Sequence, residues 1–494
     1  MKRYRLLKNR LLAVAVVLTV CSCSDDLERY PYSSIEQSQS FKTIADAKNW
    51  DVGFYSYFRG LVSGNIQFVP DVQADQLNAS RDFGNRNGFP HRWEGFLAAD
   101  GTIADIWARL YSAITNVNVA IAGFETLDIE DQAAIVKLNT YKGDAHFARA
   151  YYYHQLILRY AKAYDPSTAA SDLGVPLVLE YNVNAQPSRN TIKEVYDQIL
   201  KDLDIAGQYL SNVPGKKGAT TFNKDVVKAL KARVLLHMRS PEAKTVADDL
   251  INSGTYPLMN TETLLKDMWK NDNSQEVIFQ PFVQAPDQLV NANVIYLGYN
   301  PSEDDYTPDF IPSQWVVDMY DDNDIRKAVY FDKKEVRVMG ITFPNIYLVN
   351  KYPGNPNLFT GANTNYQNAP KVFRIAEMYL ISAEAGAMAS GDAQTPLSAL
   401  RIARGLPAIA NPTLQDVKDE RFRELAFEGF RLDDLKRWGE GFERKDPQNE
   451  DLILTGPNYE TLSKPVSDPK FIWAIPERDV TVNPNLKGEQ NPGW

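Results

Sequence analysis

The sequence predicts a mainly α fold, a scaffold of paired helices interrupted by a loop-rich region with short strands. Three observations carry that prediction. Apolar residues recur with helical period over much of residues 102–254 and again over 373–439. Thr followed three residues later by an acid opens two of those stretches, Thr191 with Glu194 and Thr413 with Asp416, the pattern of a capping box. At about 61–101 and 255–370 the period fails, and Gly, Pro, Asn and Asp accumulate.

The chain opens with Lys2, Arg3, Arg5, Lys8 and Arg10, then the apolar run LLAVAVVLTV, then Cys21-Ser22-Cys23-Ser24. A basic start, a short apolar core and a small residue before the cut describe a secretory leader. The run falls short of the about 20 residues that span a bilayer. Ser22 suits the position before the cut better than the bulkier Val20, which makes Cys23 the first mature residue. A cysteine in that place resembles the bacterial lipobox, whose thiol is diacylated. Residues 1–22 are therefore expected to be a lipoprotein signal peptide, and 23–40 a polar tether lipidated at Cys23. Two acyl chains give stable anchoring, at about 0.8 kcal/mol per buried CH₂. An ordinary leader with two incidental cysteines is the alternative.

One folded domain is expected over 41–494. A helix at 43–60 brings Ala45, Trp50, Phe54, Tyr57 and Phe58 within reach of one face, and 61–100 reads as loops rich in glycine. Helical period returns at 102–124 through Ile103, Trp107, Leu110, Ile114, Val117 and Ile121. Further helices are expected at 130–162, 191–210 and 223–239. Another starts at Ser240-Pro241 and stops near Gly254, with proline inside its start and glycine past its end. Paired helices of this length resemble tetratricopeptide hairpins. Residues 276–282 and 335–343 read as short strands among loops, and long irregular segments are usually functional. Helices resume at 373–389, 394–404 and 413–439. Charged pairs three or four apart along the last mark it as salt-bridge scaffolding.

The formal charge is −10 with five cations in the leader, so the chain from Cys23 onward carries −15. That sign argues against nucleic acid and against anionic membrane as a direct partner; membrane contact is expected through the lipid alone. Both cysteines lie in the leader, so the body must hold together without disulfides. None of the four histidines has metal-ligand spacing. Asp318, Asp321, Asp322 and Asp324 lack the glycine turn and downstream glutamate of a calcium loop. No metal, cofactor or catalytic residue is expected. No G-x-S-x-G elbow is present, and no local motif singles out a glycosidase carboxylate pair.

RIAEMYLISAEA (374–385), DERFRELAFEGFRLDDLKRWG (419–439) and FIWAIPERDVTVNPNLKGEQNPGW (471–494) resemble the C-terminal signature of the SusD/RagB family. FARAYYYHQLILRYAKAYD (147–165) and LGVPLVLEYN (173–182) resemble its central one. The resemblance implies a SusD-like fold, with tetratricopeptide-like helical hairpins and a loop-rich ligand face. It also implies a surface lipoprotein of the outer membrane that caps a SusC-like TonB-dependent transporter and passes nutrients to it. The stretches 311–331 and 347–352 are similar to RagB-type members, linked to oligopeptide uptake, whereas SusD itself binds starch. Both ligand classes, oligopeptide and oligosaccharide, stay open. A surface glycoside hydrolase and a purely structural transporter subunit are the alternatives.

For ligand contact the loops at 71–97 and 293–310 stand out. The first offers Asp75, Arg81, Phe83, Arg86, Phe89, Arg92 and Trp93; the second offers Tyr296, Tyr299 and Tyr306. Aromatic faces stack on sugar rings or apolar side chains, and Arg and Asp grip hydroxyls, carboxylates or amines. Trp50, Trp107 and Trp438 sit in helical period and read as core; Trp315 could serve either role. Mass spectrometry of the mature N-terminus is expected to find diacylated Cys23, and Cys23→Ala should release the protein from membranes.

Overall fold

Thr43 opens the first helix of the computed structural model, which describes residues 40–285, 293–359, 367–389 and 391–494. The expected leader, Cys23 and the tether before Ser40 lie outside the described residues. Thr43 accepts from the Asp46 N–H while the Asp46 carboxylate accepts from Thr43, a complete capping box that starts α1 (Ile44–Leu61). Gly64 then turns the chain at φ 75° into α2 (Asn65–Gln73), in a stretch where the glycine-rich composition predicts loop. Helix α2 is only nine residues long, carries Pro70 in its interior and is buried nearly all round, from Ile66 through Gln73 save Gln67, so its sequence does not read as a helix. Strand β1 (Leu77–Ala79) and the five-residue α3 (Gly88–Arg92) follow.

The helical scaffold comes next: α4 (Gly101–Glu125), α5 (Gln132–Tyr160), α6 (Ile192–Tyr209), α7 (Lys224–His237) and α8 (Glu242–Asn252). These match the expected helices to within a turn. The Thr191–Glu194 box starts α6 as predicted, and Ser240 Oγ accepts from the Glu242 N–H at the start of α8. Helix α5 packs between α4 and α6, α7 packs on α8, and α1 lies across α5. The main core runs through these helices, with Phe54, Phe58, Trp107, Phe147, Tyr151 and Tyr152 buried.

Residues 255–370 carry more structure than their composition suggested. They hold α9 (Glu262–Asn271), capped by Thr261, then β2 (Val277–Phe279), α10 (Asn293–Tyr296), β3 (Tyr299–Asn300), β4 (Asp305–Tyr306) and β5 (Phe310–Pro312). Helices α11 (Gln314–Asp318) and α12 (Lys327–Tyr330) lead into β6 (Phe331–Val338) and β7 (Ile341–Val349). The single strand expected at 335–343 straddles the turn of this hairpin. Met339 and Gly340 both take positive φ, at 50° and 75°, as a type I′ turn requires. Strands β3, β4, β6 and β7 form one sheet in that order, with β4 parallel to β6, and β1 pairs with β5.

The C-terminal region supplies β8 (Phe373–Arg374), α13 (Ile375–Met388), α14 (Gln394–Ala403), α15 (Leu414–Leu425) and α16 (Arg431–Trp438), then β9 (Phe442–Glu443), β10 (Ser463–Lys464) and α17 (Glu477–Val482). Helix α13 packs on α8 and on α15. The one helix expected over 413–439 is two. Phe427 and Gly429 take φ of 65° and 85°, and a Cβ on Gly429 would stand 2.8 Å from the Gln67 carbonyl oxygen. At this break the Gly429 N–H donates to Asp71 of α2 at 2.7 Å. Lys351 Nζ donates to the freed carbonyls of Glu424 and Ala426 at 3.0 and 2.8 Å.

The break also turns acids inward. Glu424 accepts from Arg374 (2.7 Å), Arg404 (3.0 Å) and Arg326 (3.0 Å), all fully buried. Glu428 pairs with Arg374 and Lys351, and Asp433 with Arg159, instead of the local partners expected along one helix. Glu424→Gln is expected to cost about 3–5 kcal/mol in chemical denaturation, because it strands buried guanidinium groups. Burial raises the pKa of Glu420, but Arg326, Arg423 and Arg401 outweigh it and hold the value down to about 2. A depressed folded pKa contributes stability that is full above the unfolded value of about 4.3 and is lost as pH falls toward 2. Acid titration followed by circular dichroism should show that loss, with a shallower slope for Glu420→Gln.

Candidate functional site

The two loops singled out from the sequence meet in space. Strand β1 pairs with β5 from Leu77–Pro312 to Ala79–Phe310, and Ser80 Oγ donates to the Pro308 carbonyl at 2.7 Å. Arg86 forks onto the Asp309 carboxylate at 2.6 and 2.8 Å, tying one loop to the other.

Four of the expected contact residues are turned inward, which corrects the sequence reading. Asp75 is buried and accepts both nitrogens of the Arg431 fork at 2.8 and 2.6 Å. Trp93 is buried against Phe442 and Phe471, with its indole N–H on the Gln73 carbonyl. Phe83 is buried edge-on to Phe310. Tyr296 is fully buried and stacked with Tyr352, ring centroids 5.8 Å apart. Burial and core partners take these four out of reach of a surface ligand. Arg81, Phe89 and Arg92 remain at the surface: Arg81 donates to the Ile453 carbonyl, and the Arg92 guanidinium lies 5.1 Å from the Phe89 ring centroid.

Tyr299 and Tyr306 define a concavity of about 480 Å³. They face each other across β3 and β4, ring centroids 4.8 Å apart, and both are half-exposed. Tyr299 Oη donates to Asp304 at 2.9 Å, which steadies its ring. Lys266 and Lys270 of α9, Asp332 and Lys334 of β6, and Asn350 after β7 complete the polar lining. Lys334 lies 5.2 Å from the Tyr306 ring centroid and 2.7 Å from Asp332. Partial burial works against its charge, but the Asp332 carboxylate prevails and holds the ammonium above the ordinary lysine range. Arg81, Phe89 and Arg92 do not line this cleft, so the structure separates the predicted residues into two places.

Lys266, Lys270, Asp332 and Lys334 escaped sequence reasoning. Helix α9 lies in a stretch whose composition predicts loop, and charges along a strand usually mark a solvated face. The signal available was the Lys333-Lys334 pair, set between Asp332 and Glu335 in a stretch bounded by Phe331 and Val336. The β6–β7 ladder slips between Lys334 and Val336, a bulge of the kind that re-aims side chains near sites. Chemically the cleft offers ring faces for stacking and ammonium groups for oxygen ligands, the usual make-up of a small-molecule site. Among the described residues no group of three or more His, Cys, Asp or Glu is placed to hold a metal ion.

Residues 28–236 match a family described as starch-binding and associating with the outer membrane, and residues 259–494 match the SusD family. The chain belongs to the SusD family. SusD-like protein P38 of Formosa agariphila is 24% identical over 99% of both chains. A solved structure from Bacteroides vulgatus is 26% identical, covers 92% of this chain and 99% of its own, and superposes with a TM-score of 0.77. Surface glycan-binding protein A of Bacteroides fluxus shares the fold at 21% identity and TM-score 0.72, over 92% of this chain and all of its own. The mainly α, SusD-like architecture expected from the sequence is thus the observed one. Among the described residues of this SusD-family chain, no helix is long and apolar enough to cross a membrane.

Asp75→Ala and Trp93→Ala are each expected to cost about 3–5 kcal/mol of stability, as a broken buried ion pair and an emptied core site. Ligand affinity measured on the remaining folded protein should be unchanged.

Proposed function

We propose that this SusD-family protein is a surface-exposed, lipid-anchored protein of the outer membrane. It binds an oligosaccharide in the tyrosine-lined cleft and caps a SusC-like TonB-dependent transporter that takes the cargo in. One observation supports the binding step above the others: the Tyr299–Tyr306 pair at a cleft of about 480 Å³ with lysines around it. Ring faces suit the apolar faces of sugars, and the volume falls within the roughly 300–1,000 Å³ of ligand sites. Lys266, Lys270 and Lys334 against Asp332 make the lining cationic on an acidic chain. That favours sugars bearing carboxylate or sulfate groups. The names of the glycan-binding relatives agree with the class.

A glycoside hydrolase would need two carboxylates flanking the scissile bond. Among the described lining residues Asp332 is the one carboxylate, and Lys334 engages it. The lipobox-like Cys23 supports the anchor, and the family likeness supports the transporter partner.

Calorimetry against acidic oligosaccharides, neutral oligosaccharides and oligopeptides tests the reading. Acidic oligosaccharides should bind without turnover, and Tyr306→Ala should weaken them about tenfold. Binding of oligopeptides alone would transfer the function to peptide uptake. Release of shorter sugars would make the protein an enzyme.

A further inference from the structure

We propose that a groove between α1 and α4 is a second binding site, one that takes an uncharged, hydroxyl-bearing ring such as a neutral sugar residue. The groove measures about 560 Å³ and is walled by Trp50, Phe54 and Tyr57 of α1, Asn116 and Val117 of α4, and Tyr152 of α5. Among the described residues it shares no lining residue with the tyrosine cleft.

Three features separate it from an incidental gap between helices. The first is Gly53, which lines the groove in the middle of α1. Glycine inside a helix is destabilising relative to alanine. Neither crowding nor a positive φ requires glycine here, since a Cβ at residue 53 would meet nothing within 4 Å. Its one evident consequence is to leave the groove open beside the Trp50 and Tyr57 rings.

The second is the Tyr152 hydroxyl. Tyr152 is fully buried from solvent, lines the groove, and among the described residues its hydroxyl has no hydrogen-bond partner. A buried hydroxyl without a partner is costly, and a ligand oxygen in the groove would satisfy it. Asn116, half-buried on the facing helix, adds an amide that can both donate and accept.

The third is charge. Among the described residues that line the groove there is no lysine or arginine, and the one carboxylate, Asp46, is committed to the capping box with Thr43. Anions would find no counter-charge and cations only an engaged one. Trp50 stacks on Phe41 at 5.2 Å and 14°, which fixes its ring as a wall, while Tyr57 is about half exposed. Fixed rings, an amide and an unpaired hydroxyl match a neutral pyranose, with an apolar face and ring hydroxyls.

The test uses the full chain with maltose, cellobiose and lactose as probes, followed by saturation-transfer NMR and calorimetry. Tyr306→Ala, which weakens the cleft, should leave the affinity of at least one probe unchanged. Gly53→Leu should weaken that probe about tenfold or more while the melting temperature holds or rises. Tyr152→Phe should weaken it severalfold, and Gly53→Ala serves as the folding control. No binding of any probe to Tyr306→Ala up to the solubility limit would overturn the proposal. So would binding indifferent to both Gly53→Leu and Tyr152→Phe. Either failure leaves the cleft reading standing, because the cleft is tested by its own variant and its own acidic ligands.

Discussion

The carboxylate of Glu424 fastens the helical scaffold to the loop-rich region that carries the tyrosine cleft. Three guanidinium groups converge on it, from Arg374 before α13, Arg404 at the end of α14 and Arg326 before α12. Each reaches onward: Arg404 to Glu276 at 2.9 and 3.0 Å, Arg326 to Asp324 and Glu420, Arg374 to Glu428. Burial opposes the charge on Glu424, yet Arg404, Arg374 and Arg326 hold its pKa well below the ordinary carboxylate range. Ions withdrawn from water survive only where partners answer one another, so such a cluster fixes its members in place more than it adds net stability.

What the cluster fixes is the cleft. Val329 and Asp332 lie within six residues of Arg326, and Asn350 and Pro353 flank Lys351, whose ammonium sits on the α15 carbonyls. Trp269 lines the cleft and lies 5.0 Å from Lys351 and 5.5 Å from Arg374. The β6–β7 hairpin is therefore held at both ends by buried ions. A site built on elements so anchored loses little freedom when a ligand arrives, and preorganisation of that kind raises affinity without new contacts.

What the sequence disclosed follows from how local each signal is. Helices α1 and α4 to α8 announce themselves by period and cap, both of which act within a few residues. Helix α2 could not, because it is short, holds Pro70 in its interior and turns polar Asp71 and Gln73 inward with its apolar residues. The split at Phe427–Gly429 depends on Gln67, over 350 residues away, pressing on Gly429. Distance in sequence also explains the site. Asp75 looks like a free loop acid until Arg431 is placed beside it. Tyr296 looks like its neighbours Tyr299 and Tyr306 until Tyr352, Phe68 and Phe427 close over it. Tyr299 and Tyr306 were legible because the polar turn between them keeps them at a surface, whereas the lysines around them reach the cleft only through the tertiary fold.

A crystal structure of the protein grown with a mixture of acidic oligosaccharides tests the account most directly. It predicts a sugar ring stacked on Tyr299 or Tyr306, with an acidic substituent within hydrogen-bond reach of Lys270 or Lys334. Sugar bound elsewhere, with the tyrosine cleft filled by solvent alone, would contradict it.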